Sequence, residues 1–161
     1  MPPEDAYKIN CDGAFLPSTS QGGWGFVIRD HAGQVVMAGA DAADNLMNSY
    51  HAEMLACIKG LEQASALGLE YIILETGAEV VVNAVMNQLC DRSPLGMMFR
   101  KIRSRILYNF NECIISHCPR ACNEVAHTLA PMGLNCKSGS TLWQDHLTGF
   151  VNLLIFSDSS A

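Results

Sequence analysis

Apolar and polar residues alternate at the start of the chain. Tyr7, Ile9 and Cys11 point one way and Lys8, Asn10 and Asp12 the other, which is the period of a strand with one polar face. The predicted strands are Tyr7–Phe15, 24–29 and Gln34–Ala40. Turn residues separate these segments, so this part of the chain predicts an antiparallel meander.

The spacing changes to that of helices after residue 44. Small and apolar residues recur every three or four positions over Ser49–Leu67, and Gly68 marks the end of this predicted helix. Short apolar runs at 71–74 and 112–116 predict strands that are buried on both faces. Further helices are predicted at Ala78–Leu89, from Pro94 to about Ile106 and at about Ala121–Met132.

This order of elements predicts an α/β domain. Three hairpin-linked strands precede crossover helices and two further strands, which gives a mixed five-stranded sheet, first antiparallel and then parallel, flanked by helices. The predicted domain covers residues 7–132, between an N-terminal tail (1–6) and a C-terminal linker and apolar tail (133–161). We expect the tail to pack Trp143 or Phe150 onto the domain or onto a second copy, and it is a candidate contact for a protein partner.

Composition narrows the class of protein. Of 161 residues, 49% are hydrophobic and 16% are charged, which excludes a disordered or collagen-like chain. No apolar run reaches the roughly 18 residues of a membrane-spanning helix, and the first residues lack the apolar core of a secretion signal. The seven cysteines contain no Cys-x-x-Cys pair and are expected to be free thiols. We therefore expect an intracellular protein, nuclear or cytoplasmic, with no membrane association.

Charge is distributed unevenly along the chain. The net charge is −6, yet residues 89–110 carry five basic side chains against Asp91 alone, a net +4. The whole molecule therefore does not attract nucleic acid electrostatically, but one basic segment lies on an acidic body.

Two carboxylates are candidates for chemistry. Asp12 lies on the polar face of the first strand, immediately before Gly13. Glu53 lies near the start of the first long helix, in line with the small residues Ala56 and Gly60, so it points toward the sheet. A buried carboxylate needs a cation, hydrogen bonds or a proton. The alternative is that Glu53 lies at the helix rim, where an acid favours the helix dipole.

Four spaced motifs resemble one family. They are INCDGAF at 9–15, GWGFVIRD at 23–30, AEMLA at 52–56, and HCPR at 117–120 with NEVA at 123–126. Together they resemble the ribonuclease H-like domain, in the retroelement-derived, reverse-transcriptase-like type common in plants. The resemblance implies metal-dependent endonuclease cleavage of the RNA strand in an RNA–DNA hybrid, in which four carboxylates hold two magnesium ions.

This chain matches two of the four implied metal positions. Asp12 and Glu53 match the first two, and the third and fourth fall on Gly77 and His127. Glycine has no side-chain oxygen, and histidine suits zinc, nickel or copper better than magnesium. We therefore expect Mg²⁺ or Mn²⁺ to bind weakly or not at all. His127 is a candidate for proton transfer or product release.

Neighbouring acids offer a second interpretation. Glu75 precedes Gly77 by two residues and faces the same side of a continuing strand. Glu79 lies in the opening turn of the next helix. Either carboxylate is a candidate replacement ligand in an active magnesium-dependent hybrid ribonuclease.

Several polar residues are candidates for binding nucleic acid. Arg120 and Asn123 either contact a phosphate or cap the last helix. The basic segment is a solvated face or, as the resemblance implies, a contact with the nucleic-acid backbone. Its candidate residues are Arg100, Lys101 and Arg103. A zinc site made of His117, Cys118, Cys122 and His127 is a weaker alternative to buried thiols, because no pair has close ligand spacing.

Three functions remain open from the sequence. The first is a module that recognises RNA–DNA hybrid or double-stranded nucleic acid and cuts poorly or not at all. The second is the active ribonuclease that uses Glu75 or Glu79. The third is a domesticated domain that serves in protein interaction.

Overall fold

One mixed sheet forms the centre of the molecule. The structure is a computed structural model that describes residues 4–88 and 91–136 and, for the backbone alone, 141–143. The strands are β1 (Tyr7–Leu16), β2 (Gln21–Arg29), β3 (Val35–Ala43), β4 (Tyr71–Thr76), β5 (Glu112–His117) and β6 (Thr141–Trp143). The helices are α1 (Ser49–Ala66), α2 (Glu79–Asn87), α3 (Gly96–Tyr108) and α4 (Glu124–Leu134), and a 3₁₀ turn covers Arg120–Cys122.

The strand order is β5-β4-β1-β2-β3-β6. β1, β2 and β3 pair antiparallel, whereas β4 pairs parallel with both β1 and β5. The predicted mixed five-stranded sheet is therefore confirmed. The three-residue strand β6 extends it by pairing antiparallel with β3, and the sequence pattern did not predict this strand.

Helices cover both faces of the sheet, and each face has its own core. On one face, α1, α2 and α3 enclose the larger cluster of buried residues, which includes Ile9, Phe26, Leu61, Leu74 and Ile102. On the other face, α4 packs against β2 and β3 through a smaller cluster. That cluster contains Val27, Ala38, Ala40, Val125 and Leu129. The alternating strands can bury apolar side chains on both faces because a helix layer covers each of them.

Element ends differ from the predicted ones in several places. β2 begins at Gln21, inside a segment predicted to be a turn. α4 begins at Glu124 and not near Ala121, because the 3₁₀ turn occupies the preceding residues. Cys122, which the sequence analysis groups with the buried thiols, is exposed, so that expectation is wrong for this residue.

Gly13 allows β1 and α1 to approach each other closely. A Cβ on Gly13 would lie 2.3 Å from the carbonyl carbon of Ala52 and 2.4 Å from the backbone nitrogen of Glu53. Only glycine therefore fits here without a backbone shift. The Asn48 side chain fixes the start of α1 by accepting a hydrogen bond from the backbone N–H of His51 (2.9 Å). Together, this cap and the close approach at Gly13 hold the first turns of α1 against β1.

Two aromatic residues of β2 belong to the core. Trp24 and Phe26 are buried, and their rings stack with centroids 6.0 Å apart. The packing predicted for the side chains of Trp143 and Phe150 lies outside the described residues. Among the helices that the structure describes, none has the length and apolarity needed to cross a membrane.

Candidate active site

A cleft of about 340 Å³ opens where β1 and β4 meet the first turns of α1 and α4. It lies beside the carboxyl end of β4, the place where ligands collect in sheets with parallel strands. Its lining residues are Asp12, Tyr50, Glu53, Gly77, Ala78, Arg120, Asn123 and His127. The structure thus brings together both candidate carboxylates, the two other implied metal positions and the two candidate phosphate contacts.

Glu53 is buried in this cleft and bonded to its own chain. Its side chain points inward, and the residue is only 5% exposed, which excludes the alternative position at the helix rim. One carboxyl oxygen accepts a hydrogen bond from the backbone N–H of Gly13 (2.8 Å), and the other accepts one from the Thr76 hydroxyl. Burial and the nearby charge of Asp12 raise the pKa of Glu53 to about 8, although these two hydrogen bonds act in the opposite direction.

Asp12 belongs to a chain of three polar side chains. Its Oδ2 atom lies 2.7 Å from Nδ1 of His127, and Nε2 of His127 contacts a guanidinium nitrogen of Arg120. A guanidinium has only donors, so Nε2 must accept from Arg120. We assign the remaining ring proton to Nδ1, which donates to Asp12. His127 therefore connects the carboxylate inside the cleft to a cation at its mouth.

Gly77 leaves an open position in the cleft. It follows β4 directly and is exposed. A Cβ at this position would meet no atom closer than Nδ2 of Asn123, at 3.9 Å. A side chain at position 77 would therefore fit, whereas the glycine contributes no side-chain ligand.

The neighbouring acids do not line the cleft. Glu75 accepts a hydrogen bond from Nδ2 of Asn10 (2.8 Å) and forms an ion pair with Nζ of Lys8 (3.2 Å). It lines a separate cleft of about 600 Å³, together with residues of β1, β5 and the turn after β2. Glu79 is exposed in the first turn of α2 and is not among the lining residues of the 340 Å³ cleft.

Asn123 connects the start of α4 to β1. Its side-chain nitrogen donates to the carbonyl oxygen of Cys11 (2.9 Å), and the residue is buried. It makes no side-chain capping bond, so the capping alternative for Asn123 is wrong. Arg120, in the preceding 3₁₀ turn, is exposed and bonds to His127.

The three candidate basic residues of α3 have different environments. Arg100 is exposed, and Lys101 lies 3.9 Å from Glu62 with half of its side chain exposed. Arg103 instead forms two hydrogen bonds to Asp91 (2.7 and 3.1 Å) and donates to the carbonyl oxygen of Val85 (2.9 Å). Arg103 therefore connects α3 to the end of α2 and is not a solvated side chain.

The histidines and thiols near the cleft do not form a zinc site in the described structure. Among the residues described, no group of three or more His, Cys, Asp or Glu is arranged to hold a metal ion. Cys118 is buried, and burial raises the pKa of its thiol to about 12.

Two polar residues, one behind the cleft and one in its wall, were not predicted from the sequence. Thr76 donates to Glu53, and Tyr50 lines the cleft from the first turn of α1. Thr76 continues the alternation of buried residues Ile72 and Leu74, which places it on the face of the sheet that α1 covers. A polar residue in that series is the signal that identifies it.

The sheet order and the position of the cleft define a ribonuclease H-like domain. The family model described as "Reverse transcriptase-like" matches residues 10–133, and the chain belongs to this family. The curated Ribonuclease HI of the archaeon Halobacterium salinarum is 30% identical over 125 residues, which are 77% of this chain and 62% of that relative. The chain therefore spans less than two thirds of the length of this relative.

Solved structures agree with the fold. The crystal structure of RNase H1 from Halobacterium salinarum is similar with a TM-score of 0.75 and 27% identity, covering 81% of this chain and 98% of that one. LC11-RNase H1 in complex with an RNA/DNA hybrid is similar with a TM-score of 0.72 and 22% identity, covering 80% and 96% of the two chains. At that identity the second similarity concerns the fold alone.

Proposed function

We propose that this chain is a nucleic-acid-binding module of the ribonuclease H fold that cleaves RNA–DNA hybrid weakly or not at all. It recognises RNA–DNA hybrid or double-stranded nucleic acid by backbone shape and 2′-hydroxyl groups more than by sequence. The observation that carries the proposal is the state of the two carboxylates. Both Asp12 and Glu53 are bonded within the protein, and Gly77 adds no third carboxylate.

These residues do not fit a pair of magnesium ions. Magnesium takes oxygen ligands at about 2.0–2.1 Å, and two ions about 3.5–4 Å apart need a cluster of carboxylates between and around them. Asp12 faces His127, which brings ring nitrogens and no oxygen to the fourth metal position that the resemblance implies. Both carboxyl oxygens of Glu53 already accept hydrogen bonds. In the part of the chain that the structure describes, the cleft therefore lacks the ligands for two-metal cleavage.

Known relatives support the choice of ligand. The curated relative is a Ribonuclease HI, and the structures of LC11-RNase H1 and of the foamy viral protease-reverse transcriptase contain RNA/DNA hybrid. The similarity to the viral protein covers 21% of the viral chain. Like the similarity to LC11-RNase H1, it concerns the fold alone.

Exposed cations on two elements supply the proposed contacts. Arg120 lies at the mouth of the cleft, and Arg100 and Lys101 lie on the outer face of α3. Backbone phosphates bind such side chains largely through release of counterions, so the affinity is expected to fall as salt rises. Arg103 is excluded from this set because Asp91 and Val85 already bind it.

The test is a cleavage and binding assay with a labelled RNA–DNA hybrid, with and without magnesium or manganese. Salt-sensitive binding without metal-dependent cutting supports the proposal. Metal-dependent cutting that is lost in an Asp12→Asn variant would establish the active ribonuclease instead. If the protein neither binds nor cuts the hybrid, the protein-interaction domain is the better interpretation.

A further inference from the structure

In this cleft a histidine and an arginine lie next to Asp12. In a two-metal nuclease, the ions offset the negative charge of the carboxylates and of the phosphate that enters between them. In this chain His127 donates to Asp12, and the guanidinium of Arg120 follows directly behind the ring. The positive charge at this position therefore comes from the side chain of Arg120.

The arrangement also leaves Arg120 able to bind an anion. One guanidinium nitrogen contacts His127, and the guanidinium makes no other hydrogen bond to a residue that the structure describes. Arginine has five N–H donors in a planar fork that matches two oxygens of a phosphate. The residue is exposed and lines the cleft, so its remaining donors are accessible from the side on which a duplex would approach.

The connection to Asp12 restricts where the guanidinium can lie. Nδ1 of His127 is held by Asp12 at 2.7 Å, and the Asp12 side chain is only 16% exposed. His127 projects from α4, which is packed on the sheet through Val125 and Leu129. His127 is thus a positioning residue that orients Arg120 from a rigid part of the molecule.

We propose that Arg120, oriented by His127 and Asp12, binds a backbone phosphate in place of a divalent ion, so that this protein binds duplex nucleic acid without metal. This inference rests on the proposed function and names the chemistry of the contact: a phosphodiester held by a guanidinium. It concerns binding alone and assigns no cleavage step to these residues.

The test is the affinity for a fluorescently labelled RNA–DNA hybrid, measured by anisotropy at matched ionic strength with EDTA or with magnesium. For the unmodified protein we expect dissociation constants that agree within about two-fold between the two conditions, because the ionic strength is the same and the proposed contact needs no metal ion. Arg120→Gln is expected to weaken binding about ten-fold in both conditions and to lower the salt slope by about 0.9, the value for one lost phosphate contact. Arg120→Lys, which keeps the charge, should retain the slope.

Two further variants complete the design. Lys59→Gln removes the same charge from α1 at a side chain that lies over Trp24, away from the cleft, and should change affinity by less than about two-fold. His127→Asp adds a third carboxylate to the cleft, next to Asp12, and removes the link to Arg120. We expect its binding to become metal-dependent, at least about ten-fold weaker in EDTA than with magnesium. Thermal melts establish that each variant is folded.

The outcomes separate the inference from the function on which it rests. Three results would each overturn the inference and leave the proposed function standing. EDTA abolishes binding by the unmodified protein, Arg120→Gln binds hybrid with the same affinity as Lys59→Gln, or magnesium does not change the affinity of His127→Asp. Absence of hybrid binding in every condition, even at low salt, would overturn the proposed function and the inference together.

Discussion

The nearest atom to a Cβ built on Gly77 is the side-chain nitrogen of Asn123, and 3.9 Å separates them. The third metal position implied by the family therefore lacks a side chain but has room for one. Combined replacement Gly77→Asp and His127→Asp would place four carboxylates around the cleft, with Asp12 and Glu53 unchanged. We expect this double variant to cut labelled RNA–DNA hybrid in the presence of magnesium or manganese, at least about 100-fold faster than the unmodified protein.

The matched control is Gly77→Asn with His127→Asn, which has nearly the same shape without the added carboxylates. It should remain as inactive as the unmodified protein. If the four-carboxylate variant folds, binds hybrid and still fails to cut with either metal, the missing carboxylates are not what limits cleavage.

The buried carboxyl of Glu53 makes the stability of the protein depend on pH. Its pKa is raised from 4.5 to about 8 by burial and by Asp12, so above about pH 4.5 the folded state keeps a proton that the unfolded chain releases. The stabilisation is fully present below pH 4.5 and is lost as the pH rises through 8. This one group lowers the free energy of unfolding by at most about 1.4 kcal/mol per pH unit between these values.

A Glu53→Gln variant has no carboxyl group at this position, so its stability does not depend on the titration of residue 53. Urea denaturation at several pH values between 5 and 8 is expected to show a flatter profile for Glu53→Gln than for the unmodified protein. Glu112→Gln makes the same chemical change at an exposed position and serves as the control. Parallel pH profiles for Glu53→Gln and the unmodified protein would contradict the burial argument.

The close approach of β1 and α1 is expected to tolerate no side chain at Gly13. Gly13→Ala would place Cβ against the backbone of Ala52 and Glu53, which cannot move aside as a flexible side chain can. We expect a loss of about 1–3 kcal/mol in the free energy of unfolding. Gly77→Ala, at the open position, should stay within about 0.5 kcal/mol of the unmodified protein. Equal stability of the two alanine variants in chemical denaturation would show that the contact at Gly13 is not as tight as described.

Two arginines of α3 are expected to act differently despite their proximity in sequence. Arg103 binds Asp91 and the carbonyl of Val85, and its guanidinium holds the pKa of the Asp91 carboxyl below its usual value. Arg103→Gln should therefore lower the denaturation midpoint. Arg100→Gln should leave that midpoint unchanged and weaken hybrid binding, because its side chain is exposed. The reverse pattern, measured by thermal melts and anisotropy, would contradict these assignments.

Short-range patterns in the sequence were enough to predict the strands of the sheet and to make Asp12 and Glu53 candidates, whereas their assignment to metal positions came from the family resemblance. Alternation places Asp12 on the polar face of β1, and helical spacing places Glu53 on the side of α1 that faces the sheet. Both predictions depend only on the periods of the strand and the helix, which the amino-acid order records directly.

Contacts between distant segments could not be predicted in the same way. The charge of Arg103 is visible in the sequence, but its partners lie in a neighbouring helix end and in the following turn. The 3₁₀ turn before α4 exposes Cys122, although the helical spacing of the sequence continues through it. The pairing of β6 with β3 joins segments about 100 residues apart, and no local pattern in three residues indicates it.

We propose that the carboxylates of this cleft hold no pair of metal ions. In crystals grown or soaked with manganese, anomalous scattering locates each bound ion. We predict no pair of ions between Asp12 and Glu53, with His127 still bonded to Asp12. Two fully occupied manganese ions about 3.5–4 Å apart at these carboxylates would show that the proposed function is wrong.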